Sequence, residues 1–139
     1  MKSDHRKPSQ VTDEYWLYAI RQTGDYPEDT ANSGKWLVFS PMDKVDDLWQ
    51  KIKVATEEGR LGSASKAATA RPNSLARDAR SKVLCIYTYD WTDREDVMRV
   101  RAELRKLGVT AKIPYKADAD TTAGRYASPG KRRISKYFA

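Results

Sequence analysis

Histidine and cysteine are the scarcest reactive residues in this sequence: His5 and Cys85 are the only ones of their kind among 139 residues. A single cysteine cannot close an internal disulfide. One cysteine and one histidine cannot assemble a Cys/His zinc site, and any Ser-His-Asp or Cys-His triad would depend on His5 alone. No metal site and no cofactor is expected. Cys85 lies inside the apolar run Val83-Leu84-Cys85-Ile86, so it reads as a buried structural thiol rather than a nucleophile. No apolar run reaches the length of a membrane span. The opening MKSDHRKPSQ is charged and lacks the apolar segment of a secretory signal. A soluble, cytoplasmic protein without membrane contact is expected. Internal repeats and the phosphate-cradling patterns G-x-G-x-x-G and G-x-x-x-x-G-K-[ST] are also missing.

The hydrophobic content, 40%, is enough for one domain with a real core. Residues 1–12 are polar and read as a flexible N-terminal tail, leaving 13–139 as a single domain. The net charge is +7, and it is unevenly spread. Residues 1–58 hold 8 Lys/Arg against 11 Asp/Glu, a balance of −3; residues 59–139 hold 18 against 8, a balance of +10. From Arg60 to Lys82 the only acid is Asp78, and none follows Asp120. Two basic segments in one half attract polyanions or phosphorylated ligands.

Strand and helix signals alternate along the chain. Glu14–Gln22 and Lys35–Ser40 read as strands, separated by a loop over Thr23–Gly34. Val45, Leu48, Trp49, Ile52 and Ala55 then follow helical spacing, with Asp43 as N-cap and Gly59 as stop. In this pattern Trp49 is a core residue. Ser63–Arg71 is a strand of small residues, which lets a ligand or another backbone approach closely. Lys82–Tyr89 is the strongest strand and reads as central. Thr92-Asp93-Arg94-Glu95 is a capping box that opens a second helix, whose apolar face is Val97, Val100, Leu104 and Leu107. Thr110–Tyr115 is a strand with Pro114 marking an edge or bulge, and Ile134–Ala139 is a closing strand. This order lacks the rhythm of a doubly wound fold. It predicts an α+β domain: a curved, mixed or mostly antiparallel sheet with two amphipathic helices on one face.

Four segments, GKWLVF, DKVDDLWQKI, SKVLCIYTYDWTDREDVMRV and IPYKADADTTAGRY, occur in this order across most of residues 34–126. In this combination the chain resembles the basophilic-leukaemia-expressed (Bles) family, which is similar in fold to the cap-binding translation initiation factors. Those factors stack a methylated guanine between two tryptophans and hold its phosphates with basic residues. The resemblance implies phosphate contacts at Arg71, Lys82 and Arg125. It implies no stacking pair here, because the loop that should carry the first tryptophan has only Tyr26 and the segment bearing the second has no clear counterpart. Trp49 matches a helix tryptophan that the factors use to dock partner proteins. Bles proteins have also been labelled phosphothreonine lyases, whose Lys/His pair is not matched here.

Three functions remain in view. The first is a non-enzymatic binding module for a phosphorylated ligand, nucleotide or single-stranded RNA. Arg71, Lys82, Arg125 and Lys66 would meet phosphate, and Tyr87 or Tyr26 would stack on a base. The second is a phosphate-handling enzyme, with Lys66 or Lys82 as base and Tyr87, Tyr89, Tyr115 or Tyr126 assisting. The third is an adaptor that docks a protein partner. The oligomeric state is left open.

Overall fold

A computed structural model describes residues 5–72, 81–119 and 135–139. Its strands are β1 (Trp16–Ile20), β2 (Gly34–Pro41), β3 (Ala64–Ala68), β4 (Ser81–Thr88), β5 (Pro114–Ala117) and β6 (Tyr137–Phe138). Its helices are α1 (Val45–Glu57) and α2 (Arg94–Lys106). The strands form one sheet in the order β1-β3-β4-β2-β5-β6, and every pairing is antiparallel. The fold is the α+β sheet with two helices that the pattern predicts. The second helix connects β4 to β5, so the chain returns to the far side of β2 rather than continuing beside β4.

Side chains alternate across a strand, so the register assigns each residue to a face. Leu17 and Ala19 pair with Ala67 and Ser65, and Ala67 and Ser65 with Leu84 and Ile86. Trp36 and Val38 extend the same face through β2, and Tyr115 through β5. All are buried, and both helices cover them. The Trp36 indole donates to the Val97 carbonyl of α2 at 3.0 Å, and Thr56 of α1 shares a 2.8 Å hydroxyl bond with Ser65. From α1 the core takes Val45, Trp49, Ile52 and Ala55; from α2 it takes Val97, Val100 and Leu104. Gly34 keeps this layer tight, because a Cβ there would lie 2.5 Å from the Tyr115 ring.

Several expectations are corrected in detail. The segment expected as a mobile tail is docked from Pro8 onward. Pro8 and Val11 are buried, and Ser9 gives both its N–H and its hydroxyl to the Asp46 carboxylate. Two apolar side chains and a serine therefore tie down a stretch whose composition is polar. Asp43 does not cap α1: Lys44 holds the N-cap position without a side-chain bond. Asp93, one residue into the expected capping box, is the N-cap of α2 and accepts the Asp96 N–H. Thr92 instead bonds the Asp90 carboxylate. The strand expected over Thr110–Tyr115 is shifted to Pro114–Ala117, and the closing strand is only Tyr137–Phe138.

Candidate nucleic-acid interface

The face of the sheet opposite the helices carries the other half of each alternation. One row crosses four strands: Tyr18 on β1, Lys66 on β3, Cys85 on β4 and Leu37 on β2. A neighbouring row joins Tyr87, Lys35 and Lys116. Trp16 lies two residues before Tyr18 on β1, on the same face. Small residues Ala64 and Ala68 flank Lys66 on its strand, which leaves the lysine standing between larger neighbours.

Aromatic rings and lysines are interleaved here. The Lys66 ammonium sits 3.9 Å from the centre of the Trp16 ring, a favourable cation–π distance. The Lys35 ammonium is 5.9 Å from the Tyr87 ring. Tyr18 is 44% exposed, while Trp16 and Tyr87 are half-buried. Lys35 also binds the Asp118 carboxylate at 2.7 Å, and Asp118 accepts from the Ser33 hydroxyl at 2.8 Å. Lys66 makes no ion pair among the described residues, so its charge is held by an aromatic ring and not neutralised. Gly62 packs closely on the Tyr87 main chain, where a Cβ would lie 1.8 Å from the Tyr87 carbonyl oxygen.

Cys85 lies beneath this surface at 4% exposure. Burial pushes its thiol up to about 11, against the partial opposition of Lys66 and Lys35. Burial also holds the Tyr87 phenol protonated far above its usual range. At pH 8 Cys85 is expected to react with a thiol reagent about a hundredfold more slowly than an exposed cysteine. Time courses in native and urea-unfolded protein check this, and equal rates would refute it. A raised pKa means the folded form holds this proton more tightly. The stability it represents is therefore intact below 9.0 and falls as pH rises from 9.0 to about 11.

Of the residues singled out in the sequence, Lys66 and Tyr87 meet on this face. Arg71 lies beyond the end of β3, with its guanidinium 4.1 Å from the Tyr15 ring and donating to the Asp13 carbonyl at 2.9 Å. Lys82 is on the opposite face. It pairs with Ser40 and is 5% exposed on the helix side, because it lies three positions from Cys85 and an odd offset reverses the face. Tyr26 is also elsewhere. Its hydroxyl donates to Asp96 at 2.5 Å and accepts the Tyr89 N–H at 3.2 Å, and its ring stands edge-on to Tyr89. This tyrosine braces the β1–β2 loop against α2. Arg125 lies outside the described residues. Lys82→Met is consequently expected to leave affinity for single-stranded RNA within about twofold of the unmodified protein, where loss of a phosphate contact would also flatten the salt dependence. Fluorescence anisotropy reads the difference.

Trp16, Tyr18, Lys35 and Lys116 were not visible as site residues in the sequence. Their signal was the alternation itself: Leu17 and Ala19 mark the buried half of β1, which turns Trp16 and Tyr18 outward.

A single antiparallel sheet of this order with both helices on one face belongs to the cap-binding initiation factor-like class of folds. Solved structures agree. The chain is similar to Schistosome eIF4E complexed with m7GpppG and 4E-BP, with a TM-score of 0.66 and 18% identity over 96% of this chain and 75% of that one. It is similar to C. elegans eIF4E-3 in complex with the 4E-binding protein Mextli and a cap analog, at 0.62 and 18% over 86% and 72%. It is also similar to Ascaris suum eIF4E-3 with m7G cap, at 0.59 and 17% over 95% and 74%. Within that class, residues 27–124 match the family described as basophilic leukemia-expressed protein Bles03, and the chain belongs to this family. No helix among the described residues is long and apolar enough to cross a membrane.

Proposed function

We propose that the protein is a binding module for a nucleotide or short single-stranded RNA, held on the open face of the sheet. The observation that carries this reading is Lys66 poised over Trp16 with Tyr18 beside it and Tyr87 and Lys35 in the next row. Aromatic rings give sequence-tolerant stacking, and lysines between them meet the phosphates. The structural neighbours hold cap nucleotides, which is the same ligand class.

The arrangement departs from cap recognition in its supports. Rings here lie along strands of the sheet, so bases would stack on a platform instead of entering a slot between two indoles. Lys66, Lys116 and Arg71 take the phosphate role, while Lys35, buried and paired with Asp118, lies against Tyr87 within the sheet. The protein is basic overall, with a net charge of +7, which favours capture of polyanions.

Anisotropy of a short fluorescent single-stranded RNA over a salt series tests the proposal. Neutralising three phosphates predicts a slope of log K against log salt of about −2, with GTP competing. Absence of binding near physiological salt, or affinity indifferent to salt, would sink it.

A further inference from the structure

Among the described residues, one stretch of strand edge inside the sheet has no partner. β2 pairs with β4 from Gly34 to Pro41, but β5 covers only Gly34 to Trp36 on its other side. The Ser33 carbonyl accepts the Asp118 N–H at 2.9 Å. In an antiparallel ladder alternate residues point their main-chain groups to the same side, so Ser33, Lys35, Leu37 and Phe39 all turn towards β5. The ladder stops where Pro114 would face Leu37, because proline has no N–H to offer. The chain there turns to the other side instead: Ile113 exchanges bonds of 2.9 and 3.1 Å with Ala139. The Pro114 carbonyl still faces the Leu37 N–H, and no ladder partner is paired with Val38 to Pro41 on this side among the described residues.

Beside the gap is a cavity of about 580 Å³, lined by Phe39, Leu48, Leu107 and Ile113, with Lys44 and Lys51 among its walls and Asp47 between them. Phe39 is 58% exposed. An uncovered strand edge with an exposed phenylalanine is a template for pairing, which natural proteins normally cover or blunt.

We propose that the edge of β2 from Leu37 to Pro41 takes an extended, acidic-apolar peptide segment of a partner protein as an added strand. Main-chain bonds form to the Leu37 carbonyl and to the N–H and carbonyl of Phe39. Every second side chain of the peptide enters the cavity against Leu48, Leu107 and Ile113, and its acidic residues meet Lys44 and Lys51. The cavity opens on the helix side of the sheet, away from Lys66, while the Leu37 and Phe39 side chains themselves project onto the Lys66 face.

The test uses the full chain and a capped seven-residue peptide of alternating glutamate and valine, with amide hydrogen exchange as readout. Exchange at Phe39 is expected to slow about tenfold or more at saturation. Phe39→Pro removes the N–H that faces the gap while leaving the β2–β4 bonds of the even-numbered residues, and it should abolish binding. Since that variant could be poorly folded, the same peptide with a central proline is tested on the unmodified protein and should not bind. Lys44→Glu with Lys51→Glu should weaken binding about tenfold. Unchanged exchange at Phe39 at about 1 mM peptide overturns the proposal. So does perturbation of Leu48 and Leu107 without protection of Phe39, which would mean the cavity takes a side chain or helix and not a strand. Concentration-dependent dimerisation lost in Phe39→Pro would assign the edge to a second copy of this chain and overturn it as well.

Discussion

Trp16→Ala is expected to weaken binding of short single-stranded RNA by roughly five- to a hundredfold, the ~1–3 kcal/mol that a base–aromatic stack contributes. Two losses combine. A stacking surface disappears, and the ring that holds the Lys66 ammonium at 3.9 Å goes with it. Lys66→Gln separates the two. It keeps Trp16 and removes only charge, so affinity should fall while the salt slope becomes shallower by about 0.7. Tyr18→Ala should lower affinity with the slope unchanged. Anisotropy at several salt concentrations measures all three. If Trp16→Ala binds as tightly as the unmodified protein, the open face is not the platform.

The largest stability effect is expected at Arg101, which is 1% exposed and yet charged. Its guanidinium donates to three carbonyls: Ala139 at 2.8 Å through Nε, Val109 at 2.8 Å through Nη1 and Ala111 at 2.7 Å through Nη2. It also lies 5.9 Å from the Trp36 ring. Burial, and then Arg105, pull its pKa below the usual value, so the charge survives through these bonds. One side chain thus fastens the turn after α2 to the residue that follows β6, and positions the last two strands. Arg101→Ala removes three charge-assisted bonds and leaves a hole in the core. A loss of about 3–5 kcal/mol is expected, a large share of the stability of a single domain. Urea unfolding should show a lower midpoint at an unchanged m-value. A loss under about 1 kcal/mol would mean that water replaces the guanidinium without cost.

Much of the fold could be read from alternation and helical spacing, because burial is what those patterns record. The strand over Lys82–Tyr89 is central, Trp49 is in the core and Cys85 is a buried thiol. Boundaries slipped where polar residues had two possible partners. Asp43 looked like a cap, but the acid at this end of α1 that finds a partner is Asp46, which takes Ser9. The site was harder to read, because counting basic residues along the chain does not say which face each one occupies. Lys66 and Lys82 belong to the same basic half, yet strand register puts them on opposite sides of the sheet. Tyr26 and Tyr87 are equally aromatic, but one is spent bracing a loop through Asp96 and the other lies on the open face. Lys35 and Lys116 come from strands distant in sequence and become neighbours only when β5 crosses to the far side of β2.

The central claim is that single-stranded RNA lies on the face away from the helices. An amide and side-chain chemical-shift map of the full chain, recorded while a short single-stranded RNA is titrated at low salt, tests it most directly. The account predicts that the largest shifts fall on Trp16, Tyr18, Lys66, Tyr87 and Lys35, and that Lys82 and the outer surfaces of α1 and α2 stay still. Shifts centred on the helices, or none at all, would contradict it.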